Sequence, residues 1–248
     1  MDRFHIAPGE WSGERLVLRG DEAHHCLRVM RKEVGEQVMA FDGAGRWAVA
    51  ELTETGGGEV VLRVVEAGRE EALRPELVLL VAIPKGKTMD LIVQKAVELG
   101  VAVIQPLVTE RTVVRLEEKG AGKKREKWQR VALEACKQCG QNTLPAVREP
   151  MGLAACLAEE GGGVKLMASL AEGARSFREM VGGMEECPER VAILVGPEGD
   201  FTPGETAAAL AAGFQAVTLG RIVLRVETAA LYCLSALRFW WEDDTTFK

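Results

Sequence analysis

Up to about residue 72 the apolar positions come in short runs, at Arg15–Leu18, Gln37–Phe41, 47–52 and 60–65, separated by glycine-bearing turns. Asp42-Gly43-Ala44-Gly45 is a hairpin signal, because glycine takes the positive φ that tight turns demand, and Gly56-Gly57-Gly58 is a second break. Runs this short and this regularly spaced predict a small β-barrel or sandwich, with one helix around 22–31. Residues 68–75 are polar and charged and end in Pro75, which places a domain boundary near residue 72.

Beyond that boundary strands alternate with helices. Residues 77–83 are continuously apolar, as in a strand covered on both faces, and Met89, Ile92, Val93, Ala96 and Leu99 then recur at helical spacing until Gly100. A strand over 101–107 follows, then an amphipathic helix marked by Trp128, Val131, Ala132, Ala135 and Cys139, and strands over 164–170 and 191–195. Thr202-Pro203-Gly204-Glu205 has capping-box spacing with proline at the first helical position, opening a helix that runs to about Ala212 before Gly213. A strand over 216–219 and a helix over 227–241 come last. This alternation predicts an α/β domain with a mainly parallel sheet over 73–248.

Composition changes that picture little, since 47% apolar residues is ordinary for a packed protein. No apolar run approaches the ~18 residues that cross a bilayer, and the start lacks a basic stretch followed by a hydrophobic one. The expectation is a cytoplasmic protein without a membrane partner. Six cysteines with no secretory signal read as reduced thiols. A net charge of −6 argues against indiscriminate nucleic-acid binding. The charge is uneven, however. Between residues 111 and 130 stand eight cations (Arg111, Arg115, Lys119, Lys123, Lys124, Arg125, Lys127, Arg130) against Glu117, Glu118 and Glu126. Such a segment reads as a solvated face or as a local phosphate contact.

In an open parallel sheet ligands bind beyond the carboxyl ends of the strands, so the loops there carry the candidate chemistry. Two stand out. Val195-Gly196-Pro197-Glu198-Gly199-Asp200-Phe201 joins a strand to a capped helix, and its glycines let backbone amides approach a ligand. Leu219-Gly220-Arg221-Ile222-Val223-Leu224-Arg225-Val226-Glu227-Thr228-Ala229 runs from a strand through an apolar loop into the last helix. It offers an apolar pocket edge with one Arg and one Glu beside it. Both also read as ordinary connections, with Arg225 and Glu227 forming an ion pair at the helix start. Other chemistries fail sooner. No Gly-x-Gly-x-x-Gly follows a strand, and Gly120-Ala121-Gly122-Lys123-Lys124 lacks phosphate-loop spacing. Cys136-x-x-Cys139 lies within a helix without a second ligand pair, and His24, His25 and Cys26 have only His5 elsewhere, so no metal site is expected. The few serines sit in no nucleophile elbow.

Taken in order, the motifs resemble the RsmE group of small-subunit ribosomal RNA methyltransferases, in the SPOUT superfamily. They are Arg3-Phe4, His25, Val29-Met30-Arg31 and Gly35 in the first part, then Lys85-Gly86-Lys87 and Gln94-Lys95-Ala96-Val97-Glu98-Leu99-Gly100-Val101. Glu110-Arg111, Lys127-Trp128, Glu134-Ala135, Gln138, Gly196-Pro197-Glu198-Gly199 and Leu224-Arg225-Val226-Glu227-Thr228-Ala229 follow. The likeness spans nearly the whole chain and implies an α/β protein with a PUA-like RNA-binding β-barrel at 1–72. It also implies a SPOUT methyltransferase domain with a deep trefoil knot at 73–248, working as a homodimer. Val195, Gly196, Pro197, Gly199, Leu219, Gly220, Ile222 and Leu224, with Ser169 and Leu170, are then expected to surround S-adenosylmethionine.

The reaction implied is methylation of uracil N3 in 16S ribosomal RNA or the small subunit. That nitrogen attacks only after losing its proton, so Arg225 is the expected cation at the carbonyl oxygens, with Glu198 or Glu227 as proton acceptor or as the group orienting Arg225. The likeness places RNA on Arg3, His25, Arg31, Lys32, Lys123, Lys124 and Arg125. Two positions depart from the pattern: Gln141 stands where the group often has arginine, and Asp200 where glycine is common. Methylation of another ribosomal or transfer RNA nucleotide, or a non-catalytic ribosome-assembly role, are the alternatives.

Overall fold

A computed structural model of the chain describes residues 1–112 and 118–241, without the side chains of Glu118 and Lys119. Arg115, Glu117 and those two side chains of the basic segment therefore lie outside the described residues. The chain divides into two compact units, Met1–Ala72 with Leu133–Leu144, and Leu73–Ala132 with Pro145–Lys248.

In the first unit five strands, β1 (Arg3–His5), β2 (Arg15–Leu18), β3 (Gln37–Phe41), β4 (Arg46–Gly56) and β5 (Glu59–Arg69), form a sheet in the order β1-β3-β4-β5-β2. Only β1 and β3 run parallel. The alternation of the sequence sets which face is inside: Val38 and Ala40, Ala48, Ala50 and Leu52, and Val60 and Leu62 are all buried in one cluster with Phe4 and Leu16. The first hairpin turns on Asp42, whose Oδ1 accepts from the amides of Ala44 and Arg46. A short helix α1 (Gly20–His24) continues as a π-helical turn over His25–Val29, which seats Ala23 and Cys26 in the same core.

The second unit contains β6 (Glu76–Ala82), α2 (Thr88–Glu98) and β7 (Val103–Val108), followed by α3 (Glu118–Cys139), whose last residues belong to the first unit. Then come β8 (Ala146–Val147), β9 (Met151–Gly152), α4 (Leu153–Glu159), β10 (Val164–Ala168), β11 (Arg175–Ser176) and α5 (Phe177–Gly182). The chain goes on with β12 (Arg190–Val195), α6 (Pro203–Ala211), β13 (Gln215–Thr218) and α7 (Val226–Trp241). The strand order is β11-β13-β10-β12-β6-β7-β8, with β9 also on β7, and every pairing is parallel. The continuous apolar runs of β6 and β12 are buried throughout because helices cover both faces. Leu153, Leu157 and Ala209 of α4 and α6 pack on Val78, Leu80 and Leu194, while α2 and α7 meet on the opposite side.

Two sequence signals have clear structural causes. At α6 both halves of the capping box form: Glu205 N donates to Thr202 Oγ1 at 3.3 Å and Thr202 N to Glu205 Oε2 at 2.9 Å. At the end of α2, Gly100 has φ 72°, and a Cβ there would stand 2.7 Å from Leu73 and 3.1 Å from the Arg238 guanidinium. Arg238 of α7 is buried and donates to the carbonyls of Arg74 and Gly100 at 2.9 and 2.8 Å. Arg238→Ala leaves both acceptors without that donor. The expected loss is about 2–4 kcal/mol of unfolding free energy. Equilibrium urea unfolding reads it directly, and a loss below about 0.5 kcal/mol, the level of a neutral surface change, contradicts the bracing role.

Candidate active site

Because all strands of the second sheet are parallel, the loops after their carboxyl ends share one edge. Strands β13, β10 and β12 are adjacent, so the loops after them must be neighbours although they lie far apart in sequence. Those loops line a single cleft with about 570 Å³ of open space. Ala168, Ser169 and Leu170 come from β10 and its exit, Val195 to Glu198 and Asp200 from the last residue of β12 and the loop after it, and Leu219, Gly220 and 222–224 from the loop after β13. Val226 and Ala229, one turn apart at the start of α7, complete the wall.

Local chemistry explains each loop. Gly196 carries no side chain because a Cβ there would stand 3.0–3.3 Å from the buried Phe201 ring. The turn closes with Asp200 N donating to the Pro197 carbonyl at 2.9 Å. Asp200 itself has φ 60°, a conformation that favours glycine, and its Oδ1 accepts from Phe201 N at 2.8 Å. That local bond holds aspartate in a conformation that glycine adopts more readily. In the third loop Gly220 has φ 119°, and Ile222 and Val223 are 77% and 70% exposed. Ser169 continues the β10 ladder by donating to the Val217 carbonyl, and its Oγ accepts from Ala171 N.

Nine of the ten residues expected around the cofactor line this cleft: Ser169, Leu170, Val195, Gly196, Pro197, Leu219, Gly220, Ile222 and Leu224. Gly199 stands outside the lining, with its carbonyl turned to the Arg111 guanidinium. Of the three expected catalytic residues, Glu198 lines the cleft, and its Oε1 accepts from Lys85 N at 3.2 Å. Arg225 is exposed and Glu227 half-buried, both outside the lining, and they form no ion pair with each other. Of the other lining residues, Asp200, Val223, Val226 and Ala229 fall within the two candidate loops, and Ala168 was not singled out. The spacing of Val226 and Ala229 marks one helix face, the one that lines the cleft.

The candidate RNA residues fall in two places. Arg3 and His25 share a cleft of the first unit with Asp2, Phe4, Lys137 and Gln138. Arg3 donates to Asn142 Oδ1 and to the carbonyl of Gln141, so Gln141 enters this cluster through its backbone. Lys32 is paired with Asp2 and Glu36 at 3.0 Å each, whereas Arg31 is exposed at φ 55°. On α3, Lys123 is exposed and Lys124 half-buried, and Arg125 Nε donates to the Val147 carbonyl at 3.3 Å. Lys127 is held by Asp90. Four of the six thiols are held protonated: burial pushes Cys26 and Cys156 up to about 11 and Cys136 and Cys233 up to about 12, so none of these four supplies a thiolate near neutrality.

The profile of the RNA methyltransferase domain matches residues 70–238, and that of the RNA methyltransferase PUA domain residues 18–65. A Bacillus subtilis protein named ribosomal RNA small subunit methyltransferase E is 31% identical over 231 residues, which cover 91% of this chain and 90% of the relative. The chain belongs to the ribosomal RNA small subunit methyltransferase E family. A crystal structure of a family member from Neisseria gonorrhoeae bound to S-adenosyl methionine is 34% identical, covers 97% of this chain and 98% of that one, and superposes at a TM-score of 0.86. A methyltransferase from Legionella pneumophila in complex with the bound cofactor SAM is equally similar, with 34% identity, 96% of each chain and a TM-score of 0.86. The family's mixed α/β architecture, a PUA-like N-terminal domain followed by a parallel sheet, is the one described above. Among the described residues no helix is long and apolar enough to cross a membrane.

Proposed function

We propose that this chain transfers a methyl group from S-adenosylmethionine to N3 of a uridine in 16S ribosomal RNA. The observation that carries the reading is the shared cleft: the loops after β10, β12 and β13 line one space, in a chain of this family. The lining fits that cofactor. Backbone amides and carbonyls around Gly196 and Leu219 suit an adenine edge, and Leu170, Ile222 and Leu224 offer apolar surface for its faces. Bound S-adenosylmethionine supplies a methyl group on a sulfonium sulfur.

The remaining chemistry belongs to the protein. Uracil N3 lies between two carbonyls, and its anion spreads charge onto both oxygens. Arg225 stabilises that anion, since a guanidinium stays charged and offers several donors in one plane. Glu198 at the cleft, with Glu227 at the start of α7, takes the proton or orients Arg225. The base is unpaired when it reacts, because N3 lies on the pairing edge. Arg3, His25, Arg31 and Lys32 of a PUA-like barrel, with Lys123, Lys124 and Arg125, hold the surrounding RNA through its phosphates.

Two copies of the chain act together in the cytoplasm, each threaded as a trefoil knot. Support for pairing comes from the apolar side chains that one chain leaves uncovered beside the cleft, Ile222 and Val223, and from Tyr232 and Phe239 of α7, 47% and 82% exposed. The test mixes the purified protein with labelled S-adenosylmethionine and small ribosomal subunits from a strain lacking the enzyme. The expected product is one labelled uridine methylated at N3. Label on a different base assigns another target, and no label on subunits or naked RNA overturns the reading.

A further inference from the structure

Arg111 directs its charge at backbone oxygens beside the cleft. It stands on the turn after β7, and Nη1 donates to the carbonyl of Gly199 and, at 3.5 Å, to that of Asp200. Its aliphatic stem lies along Gly199: a Cβ there would be 3.4 Å from Arg111 Cδ. The turn that carries Arg111 is closed on itself, with Thr112 N donating to the Thr109 carbonyl at 3.1 Å and Thr109 N to Thr112 Oγ1 at 3.0 Å. It is also fastened to the capping box, since Glu110 N donates to Glu205 Oε1 at 2.8 Å. From the loop after β6, the strand between β7 and β12, Lys85 N donates to Glu198 Oε1. The stretch from Glu198 to Thr202 is thus braced by the loops after β6 and β7 and not only by its own turn.

That bracing meets a need. Asp200 sits at φ 60°, where a non-glycine residue persists only if its surroundings fix it. The two carbonyls that Arg111 takes belong to Asp200 itself and to the residue before it. With their orientation fixed, the backbone of Gly196 to Glu198 keeps its direction into the cleft.

We infer that Arg111 is a positioning residue, which sets the conformation of the loop after β12 and thereby the affinity for the methyl donor. The inference rests on the proposed function for its consequence, while its structural half stands without it. A guanidinium in a basic stretch otherwise reads as a phosphate contact, and the two roles differ in what they move. A phosphate contact changes RNA affinity and the salt dependence of RNA binding. A loop brace changes the loop itself and the use of the cofactor.

The experiment compares the full-length protein with Arg111→Ala and Arg111→Lys. Amide hydrogen exchange across 196–202, measured on the protein alone, is expected to accelerate about tenfold in Arg111→Ala, equal to ~1.4 kcal/mol of local opening. The KM for S-adenosylmethionine is expected to rise about tenfold with kcat within about threefold, the pattern of lost uniform binding. Arg111→Lys is expected to fall between the two, because an ammonium replaces the flat fork by a single point of charge. Global melting stays within a degree or two of the parent, since the side chain is exposed. Unchanged exchange across 196–202 overturns the inference, as does an unchanged cofactor KM with a raised RNA KM and a shallower salt dependence. If the parent transfers no methyl group the proposed function fails, and the exchange measurement still decides whether Arg111 braces the loop.

Discussion

Arg225→Ala is expected to lower turnover about 10²- to 10³-fold, the usual size of losing one group that stabilises developing negative charge. Leu224 and Val226 both line the cleft, so the backbone of Arg225 is fixed within its rim. The carbonyl of Arg225 accepts from Ala229 N at 2.8 Å, which pins it to the first turn of α7. The guanidinium itself is exposed and forms no ion pair with Glu227, so it is available to an arriving base. Affinity for S-adenosylmethionine and the melting temperature should stay near the parent's, because the side chain contributes no lining surface. Lysine at 225 should recover part of the rate, as it keeps the charge without the planar fork. Turnover of Arg225→Ala within about threefold of the parent removes Arg225 from the chemistry, since such a ratio is under 1 kcal/mol of barrier.

The second large effect is expected at Gly220. Its φ of 119° is inaccessible to a β-branched residue, yet a Cβ there would meet nothing within 4 Å. Gly220→Val therefore acts through backbone strain and not through collision. The loop can relieve a strain of about 1–3 kcal/mol by leaving its present course, which weakens S-adenosylmethionine binding by roughly 5- to 150-fold. Calorimetric titration gives the number, and far-ultraviolet circular dichroism checks that the sheet persists. Cofactor affinity unchanged in Gly220→Val means that the loop after β13 takes no part in the binding site.

The sequence made the central elements legible wherever a period ran long enough to count. The helix α2 followed from Met89, Ile92, Val93 and Ala96, α6 from its cap, and β6 and β12 from unbroken apolar runs. The two-residue strands β8, β9 and β11 left no period to read, and the sheet edge alone defines them. The short helices α4 and α5 escaped for a similar reason. Residues 133–144 group with the first unit although their helix starts in the second, and periodicity cannot report which core the end of a long helix joins. At the cleft, glycines after strands identified both main loops, because tight turns at strand ends need them. Arg111 was visible as one cation among eight and within the Glu110-Arg111 motif, with no role at the cleft attached to it. Its link to Gly199 spans 88 positions and depends on β7 and β12 both flanking β6, an order that a linear pattern does not carry.

The most direct test of the account is a crystal structure of this protein grown with S-adenosylmethionine. The adenine is expected between the Leu219–Leu224 loop and the Val195–Pro197 backbone, with the methyl group facing the space that Arg225 can reach. Cofactor density elsewhere on the chain, or density in this cleft with its methyl group directed away from Arg225, contradicts it.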